Sequence, residues 1–415
     1  MAQQTIGGAA DATVSTAPVW LDRRTPPHIL TLVLITGVSA LNMNMILPSL
    51  PSLAAHYVAD YAVVALTISA YLGLTAVLQL VIGPLSDRYG RRPVILVSFA
   101  AFLVATIGCM AAPNIETFLA FRLAQATIAS GMALSRAIVR DMFPPDAAAS
   151  QIGYVTMGMA VMPMIGPMIG GFLDELLGWQ SVFGFMFLAG AAALWLIFAD
   201  LGETNRLQSA SFSAQFRAYP ELIRSKRFWG YSATAALASG AFFAFLGGGP
   251  WVATEVLGMS PAQMGFYFGF IALGYMFGNF LSGRFATKVG LNRMMMLGAL
   301  VATCGLGVSL GFLAVGLVHP VSFFGAILFL GLGNGLLLPS ANAGVVSVRP
   351  HLAGSAAGLG GAMMVGGGAL LSVIAGLLLG PDTGAWPLLW MMFICSALCI
   401  LSTLFVMRVA RLRAL

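Results

Sequence analysis

Long apolar stretches separated by short polar ones fill the chain from end to end. Marking every Asp, Glu, Lys and Arg leaves uncharged runs at 25–59, 61–86, 93–115, 147–173, 176–199, 228–254, 256–283, 294–348, 350–381 and 383–407. A helix that crosses a bilayer needs about 20 apolar residues, so each run predicts at least one crossing. The run 294–348 is too long for one, and Gly316-Leu317-Val318-His319-Pro320 divides it, because Pro ends a helix and Gly accepts turn geometry. A further crossing is predicted over 117–140, apolar apart from Arg122, Arg136 and Arg140, since its neighbours could not otherwise alternate sides. The count is twelve. No period-two alternation runs through these stretches, which disfavours a β-barrel.

Composition agrees with the pattern, since 59% of the 415 residues are hydrophobic and only 8% are charged, where soluble domains carry about 25%. Such a chain cannot cover itself with a water-soluble surface. The basic residues then set the orientation, because Lys and Arg near helix ends stay on the cytoplasmic side. Arg23 and Arg24 precede the first crossing, Arg88, Arg91 and Arg92 follow the second, and Arg140 follows the fourth. Arg206, Arg217, Arg224, Lys226 and Arg227 lie between the sixth and seventh, while Arg284, Lys288, Arg293, Arg349, Arg408, Arg411 and Arg413 complete the set. The opposite loops hold Asp60, Glu116, Asp174, Glu175, Glu255 and Asp382. Both termini are therefore expected in the cytoplasm, and the net charge of +6 is explained by topology without a nucleic-acid partner. Cys109, Cys304, Cys395 and Cys399 all fall in apolar tracts without CxxC spacing, which suggests neither a disulfide framework nor a metal site.

The segment 201–227 mixes charges, Ser and Pro, and divides the chain. The expected organisation is a tail at 1–24, a six-helix half at 25–200, a cytoplasmic linker at 201–227, a second six-helix half at 228–407 and a tail at 408–415. A constant offset of 200 places Gly83 on Gly283, Arg88 on Lys288, Gly90 on Gly290, Gln79 on Asn279, Gly158 on Gly358 and Gly166 on Gly366. The halves thus read as a duplication, the arrangement in which many secondary transporters hold a site between repeats. No HExxH and no paired buried carboxylates point to an enzyme.

Three strings carry chemistry of their own. After the second crossing, Gly83-Pro84-Leu85-Ser86-Asp87-Arg88-Tyr89-Gly90-Arg91-Arg92 ends a helix, turns at Gly90 and sets Asp87 four residues before Arg91, the spacing of a helical ion pair. In the fourth crossing, Phe121-Arg122-Leu123-Ala124-Gln125 buries an ionisable group within an apolar run, by default a functional-site signal. The alternative for Arg122 is that it snorkels to the outer surface near Glu116. The fifth crossing reads Gly158-Met159-Ala160-Val161-Met162-Pro163-Met164-Ile165-Gly166-Pro167-Met168-Ile169-Gly170-Gly171. There Gly166 and Gly170 form a close-packing face, and Pro163 and Pro167 remove backbone donors.

These strings resemble motifs A, B and C of the major facilitator superfamily, and with smaller echoes such as Leu47-Pro48 and Glu203-Thr204 the chain looks most like its bicyclomycin and chloramphenicol resistance group of drug/proton antiporters. The resemblance implies an all-α membrane protein of twelve helices in two pseudo-symmetric halves, set in a bacterial inner membrane as a monomer. It also implies export of a small molecule by alternating access, driven by proton entry with no cofactor. Gating falls to Gly83, Asp87, Arg88, Gly90, Arg91 and Arg92, with Asp141 as the acid that motif A engages. Motif C is represented by Gly158, Pro163, Gly166, Pro167, Gly170 and Gly171. Two positions depart from the group's pattern: Ala126 stands where motif B usually has Gly, and Asn44 where many relatives carry a titratable carboxylate.

With no carboxylate inside any run, a cation would lack a counter-charge to offset its desolvation, and Arg122 and Arg136 would repel it. A neutral or weakly anionic, phenicol-like amphipathic cargo is expected between the halves. Its candidate contacts are Asn42, Asn44, Tyr71, Gln79, Arg122, Gln125, Tyr154, Tyr267, Tyr275 and Asn279. Proton coupling then falls to carboxylates near helix ends, among them Asp87, Asp141, Asp174 and Glu175, or to His56, the alternative being a chain that is not proton-coupled. A metabolite carrier of the same fold, or a sensor that has lost transport, are the competing readings.

Overall fold

A computed structural model describes residues 19–143, 151, 155, 162, 165–205, 220–349 and 352–411. The first half of the chain supplies α1 (Ile29–Tyr57), α2 (Tyr61–Tyr89), α3 (Arg91–Ala111), α4 (Ile115–Met142), α5 (165–177) and α6 (Gln180–Asp200). The second supplies α7 (Lys226–Val256), α8 (Pro261–Val289), α9 (Leu291–Ala314), α10 (Pro320–Ser347), α11 (Ala353–Leu378) and α12 (Trp386–Arg411). Among the described residues eleven helices are long and apolar enough to cross a membrane. The fifth expected crossing, 147–173, lies largely outside the described residues, and Tyr154, Gly158 and Pro163 with it.

Departures from regular helix mark particular places. Pro48 tightens α1 into a 3₁₀ turn over Leu47–Ser49, and α4 passes through a second 3₁₀ segment over Gln125–Ala129, one turn after Arg122. A π turn over Val252–Val256 closes α7 after Pro250. Between α2 and α3 the chain reverses at Gly90, with φ +98°, and between α8 and α9 at Gly290, with φ +88°. Those values belong to a region nearly closed to side-chain-bearing residues, so the offset of 200 in the sequence is a repeated turn in space.

Burial divides the interior into three main clusters. One contains only residues up to Leu201, around Leu32, Ile95, Phe99, Ile138 and Ile197. A second contains only residues from Leu222 onward, around Phe228, Met295, Ala341 and Val406. The third draws on both parts, joining Leu47, Leu50, Val64 and Ile68 to Phe243, Phe245, Trp251 and Phe268. The shared cluster lies towards the end of the bundle that carries Asp60, Asp174 and Glu175, termed here the acidic end; the separate ones lie towards the basic end that carries Arg91 and Arg349. Glycines permit the approach at the acidic end: a Cβ on Gly376 of α11 would sit 3.2 Å from the Cβ of Ala65 on α2. The Tyr61 hydroxyl there donates to the Gly247 carbonyl at 2.8 Å. Among the described residues no ion pair joins the two halves, and the hydrogen bonds from Tyr61 to Gly247 and from Ala262 to Glu175, which do so, lie at the acidic end.

Candidate functional site

Arg122 is 1% exposed, and its head points inward. The 3₁₀ segment that begins at Gln125 turns the amide back onto the guanidinium, Nη1 donating to Gln125 Oε1 at 2.8 Å. Asn42 on α1 accepts twice, through Oδ1 at 3.1 Å and through its backbone carbonyl at 3.0 Å. The Thr67 carbonyl on α2 accepts from Nε at 3.3 Å. The Tyr71 ring centroid lies 4.4 Å from the guanidinium carbon, close enough for cation–π attraction. Asn42 Nδ2 donates to the Tyr71 hydroxyl at 3.1 Å, and Gln125 Nε2 to Thr106 Oγ1 on α3 at 2.7 Å. Groups on α1, α2 and α4 thus converge on one guanidinium, with α3 bracing Gln125, and every group that receives it is neutral. A buried charge is tolerated where it is fully hydrogen-bonded, and here carbonyl dipoles, amides and an aromatic face supply that compensation. Snorkelling is excluded by the same geometry.

Of the other expected cavity residues, Asn44 turns to its own helix, donating to the Ala40 carbonyl at 2.8 Å. Gln79 is half-buried on α2. In the second half Tyr267 stacks on Phe270 at 5.5 Å, and Asn279 donates to the Tyr275 carbonyl at 2.9 Å. Asn42, Tyr71, Arg122 and Gln125 are therefore brought into one network, whereas Asn44, Tyr275 and Asn279 make local contacts and Tyr267 packs among the rings of Phe270 and Phe324. Arg136 is exposed beyond the network, its Nε donating to the Met132 carbonyl at 3.3 Å.

At the basic end Arg91 is buried between two acids, paired with Asp87 and with Asp141, the latter from Nε at 3.0 Å. Its Nη1 also donates to Ser86 Oγ at 2.5 Å. Arg88 points away and lies over the Tyr89 ring. Arg92 reaches the end of α6, donating to the carbonyls of Leu201 at 2.8 Å and Phe198 at 3.3 Å. Glu203 answers by accepting the backbone N–H groups of Arg91 and Arg92 at 2.9 and 3.1 Å, which are orphan donors at the start of α3. Asn205 Nδ2 donates to the Asp87 carbonyl at 2.8 Å, and Thr204 Oγ1 to Asp141 Oδ2 at 3.3 Å. Gly90 is required twice, since a Cβ there would also run into the Glu203 carboxylate. Gly83 has open space around it.

The glycine face of α5 packs on two helices. Gly166 meets Leu41 and Asn44 of α1, Gly170 faces the Met45 carbonyl, and Gly171 faces the Pro261 carbonyl of α8. Gly265 of α8 in turn faces the Pro167 carbonyl. Just past this crossing Glu175 Oε2 accepts the Ala262 N–H at 3.0 Å, the carboxylate sitting where the α8 dipole favours negative charge. Its contacts to Ser260 and Ala262 hold its pKa below the usual carboxylate range. Asp174 beside it is buried and accepts from Ser52 Oγ at 2.7 Å; burial pushes its carboxyl up. A carboxylate on one half thus caps a helix of the other.

A bundle of membrane-length helices in two halves, with a buried cationic network in one and an ion-paired turn at one end, defines a membrane transporter. The Major Facilitator Superfamily profile matches residues 32–373, and the chain belongs to that family. It is 30% identical over 392 residues to the uncharacterized MFS-type transporter YdgK of Bacillus subtilis, covering 92% of this chain and 95% of that protein. It is 29% identical to a chloramphenicol resistance protein of Pseudomonas aeruginosa, over 84% of this chain and 83% of that one. Among solved structures, a POT family transporter in complex with 5-aminolevulinic acid superposes with a TM-score of 0.72 at 13% identity, over 91% of this chain and 94% of that chain, a likeness of fold.

Proposed function

We propose that this protein exports small amphipathic molecules, neutral or weakly anionic and phenicol-like, by alternating access coupled to proton entry. The observation that carries the charge preference is the wholly neutral shell around Arg122: Asn42, Gln125, two carbonyls and the Tyr71 face. A cationic cargo entering beside that guanidinium would meet a like charge with no counter-ion in low dielectric, whereas a nitro, carboxyl or hydroxyl group could share its donors. The likeness to the chloramphenicol resistance protein supports the cargo class.

With the basic end in the cytoplasm, a placement the arginine distribution supports, contact between the halves at the acidic end supports an inward-facing arrangement. The α5–α8 crossing and the Glu175 cap then form the outer seal. Export follows when cargo loads from the cytoplasmic side, the Arg91 cluster forms the closed inner gate's hinge, and the seal opens. Protons enter through the helix-end carboxylates, since the central network offers none. The protein acts as a monomer with both termini cytoplasmic.

The test is flux in proteoliposomes of the full chain under an imposed pH gradient, with chloramphenicol, a weak organic acid and a cationic dye of similar size. Gradient-dependent movement of the first two and none of the dye is expected. Dye transport at a comparable rate would refute the charge argument, and flux indifferent to the gradient would refute the coupling.

A further inference from the structure

Helices α3 and α6 lie closely side by side, with Gly190 of α6 against Phe102 and Leu103 of α3. On their outward face a groove runs from the basic end into the bilayer, lined by Leu96, Ala100, Ala191, Leu194, Trp195 and Phe198. Every one of these is uncharged, and no described helix covers them. At the mouth of the groove two guanidiniums flank the Phe198 ring, Arg92 at 5.6 Å from its centroid and Arg23 at 5.9 Å. Among the described residues neither guanidinium has a carboxylate within ion-pair distance. The acids nearby are committed elsewhere: Asp200 accepts the N–H groups of Leu21 and His28, Glu203 those of Arg91 and Arg92, and Asp22 that of Arg24. Arg23 is held in place because Asp200 pins the chain on both sides of it. Trp195, one turn deeper than Phe198, is 60% exposed, as an interfacial aromatic is.

We propose that this groove is a binding site for an anionic phospholipid, its phosphate held by Arg23 and Arg92 and one acyl chain laid along Ala100, Ala191 and Trp195. Charge complementarity selects the occupant. A hydrocarbon chain alone would fill the groove and leave two cations without a counter-ion, and a free phosphate would answer the cations and leave the groove to any lipid. Only a lipid with net negative charge satisfies both, and basic pockets between helices on the cytoplasmic side are suited to such headgroups. Because Arg92 also caps α6 and shares the Glu203 carboxylate with Arg91 through the backbone, the lipid would sit against the motif A turn.

The experiment is native mass spectrometry of the purified, delipidated full chain titrated with phosphatidylglycerol or with phosphatidylcholine of the same acyl chains. One phosphatidylglycerol is expected to be retained in preference, and Arg23→Gln to reduce that preference about fivefold, the worth of one basic group near a membrane surface. Ala100→Trp fills the groove without touching either cation and is expected to lower retention of both lipids. Should Ala100→Trp fail to yield a monodisperse protein, Arg23→Gln decides alone. Equal retention of the two lipids, or unchanged preference in Arg23→Gln, overturns the proposal, and so does displacement of bound phosphatidylglycerol by inorganic phosphate.

Discussion

Arg122 keeps its charge in the protein interior by spreading it over an amide pair, two carbonyls and an aromatic face. Asn42 is the pivotal member, because it alone contacts both the guanidinium and the Tyr71 hydroxyl. Replacing it with Asp gives the arginine a counter-charge, and a hydrogen bond to a charged group is worth about 1.5–3 kcal/mol. Asn42→Asp is therefore expected to lower flux of neutral and anionic compounds about tenfold or more and to admit a cationic dye, both measured in proteoliposomes. The adjacent acids at the other end behave oppositely. Asp174, its pKa raised by burial beside Ser52 of α1, contributes within its own half as a neutral acid, a contribution present in acid and lost as pH rises through its folded value. Glu175, held below the usual range by Ser260 and Ala262, contributes as a carboxylate and loses that contribution as pH falls through its folded value. Glu175→Gln is expected to remove the acid-side loosening of the α5–α8 contact, read as fluorescence quenching between labels on the two helices across an acid titration.

At the scale of elements, the motif A turn is a clamp between α2, α3 and α6. Gly90 carries φ +98°, a conformation that costs a side-chain-bearing residue about 1–3 kcal/mol, and it also leaves room for the Glu203 carboxylate. Gly90→Ala is expected to lower the melting temperature in detergent and to slow transport. In a Glu203→Ala background the same change is expected to do less harm, with a coupling of about 0.5–3 kcal/mol; additive effects would separate the glycine from the clamp. The ion pair in this turn was legible in the sequence because Asp87 and Arg91 are neighbours on a helix. The Glu203 clamp was not, since its partners lie 112 and 111 residues away and no local spacing announces them. Likewise, two asparagines stand one residue apart in α1, and only packing against α2 and α4 decides that Asn42 meets Arg122 and Asn44 meets its own backbone. The glycines of α5 signalled close packing, but that Gly171 meets α8 while Gly170 meets α1 depends on how the helices cross.

Across the whole molecule, the apolar runs foresaw eleven membrane-length helices found among the described residues, the fifth run lying largely outside them, and the offset of 200 foresaw the repeated turns at Gly90 and Gly290. What composition could not foresee was the state of the bundle. That follows from where burial is shared: Phe243, Phe245 and Trp251 pack with Leu47 and Val64 across the halves, while Phe99 and Phe228 each belong to one half alone. A molecule joined at one end and separately cored at the other can exchange ends by rocking, since each half keeps its own packed interior throughout. The measurement that reaches this most directly is a pair of spin-label distances in the full chain. One pair spans the basic ends, at Tyr89 and Leu291, and the other spans the acidic ends, at Val58 and Leu317, all exposed positions. With chloramphenicol and an imposed pH change, the basic-end distance is expected to shorten as the acidic-end distance lengthens. Two distances that stay fixed, or that grow and shrink together, would contradict the account.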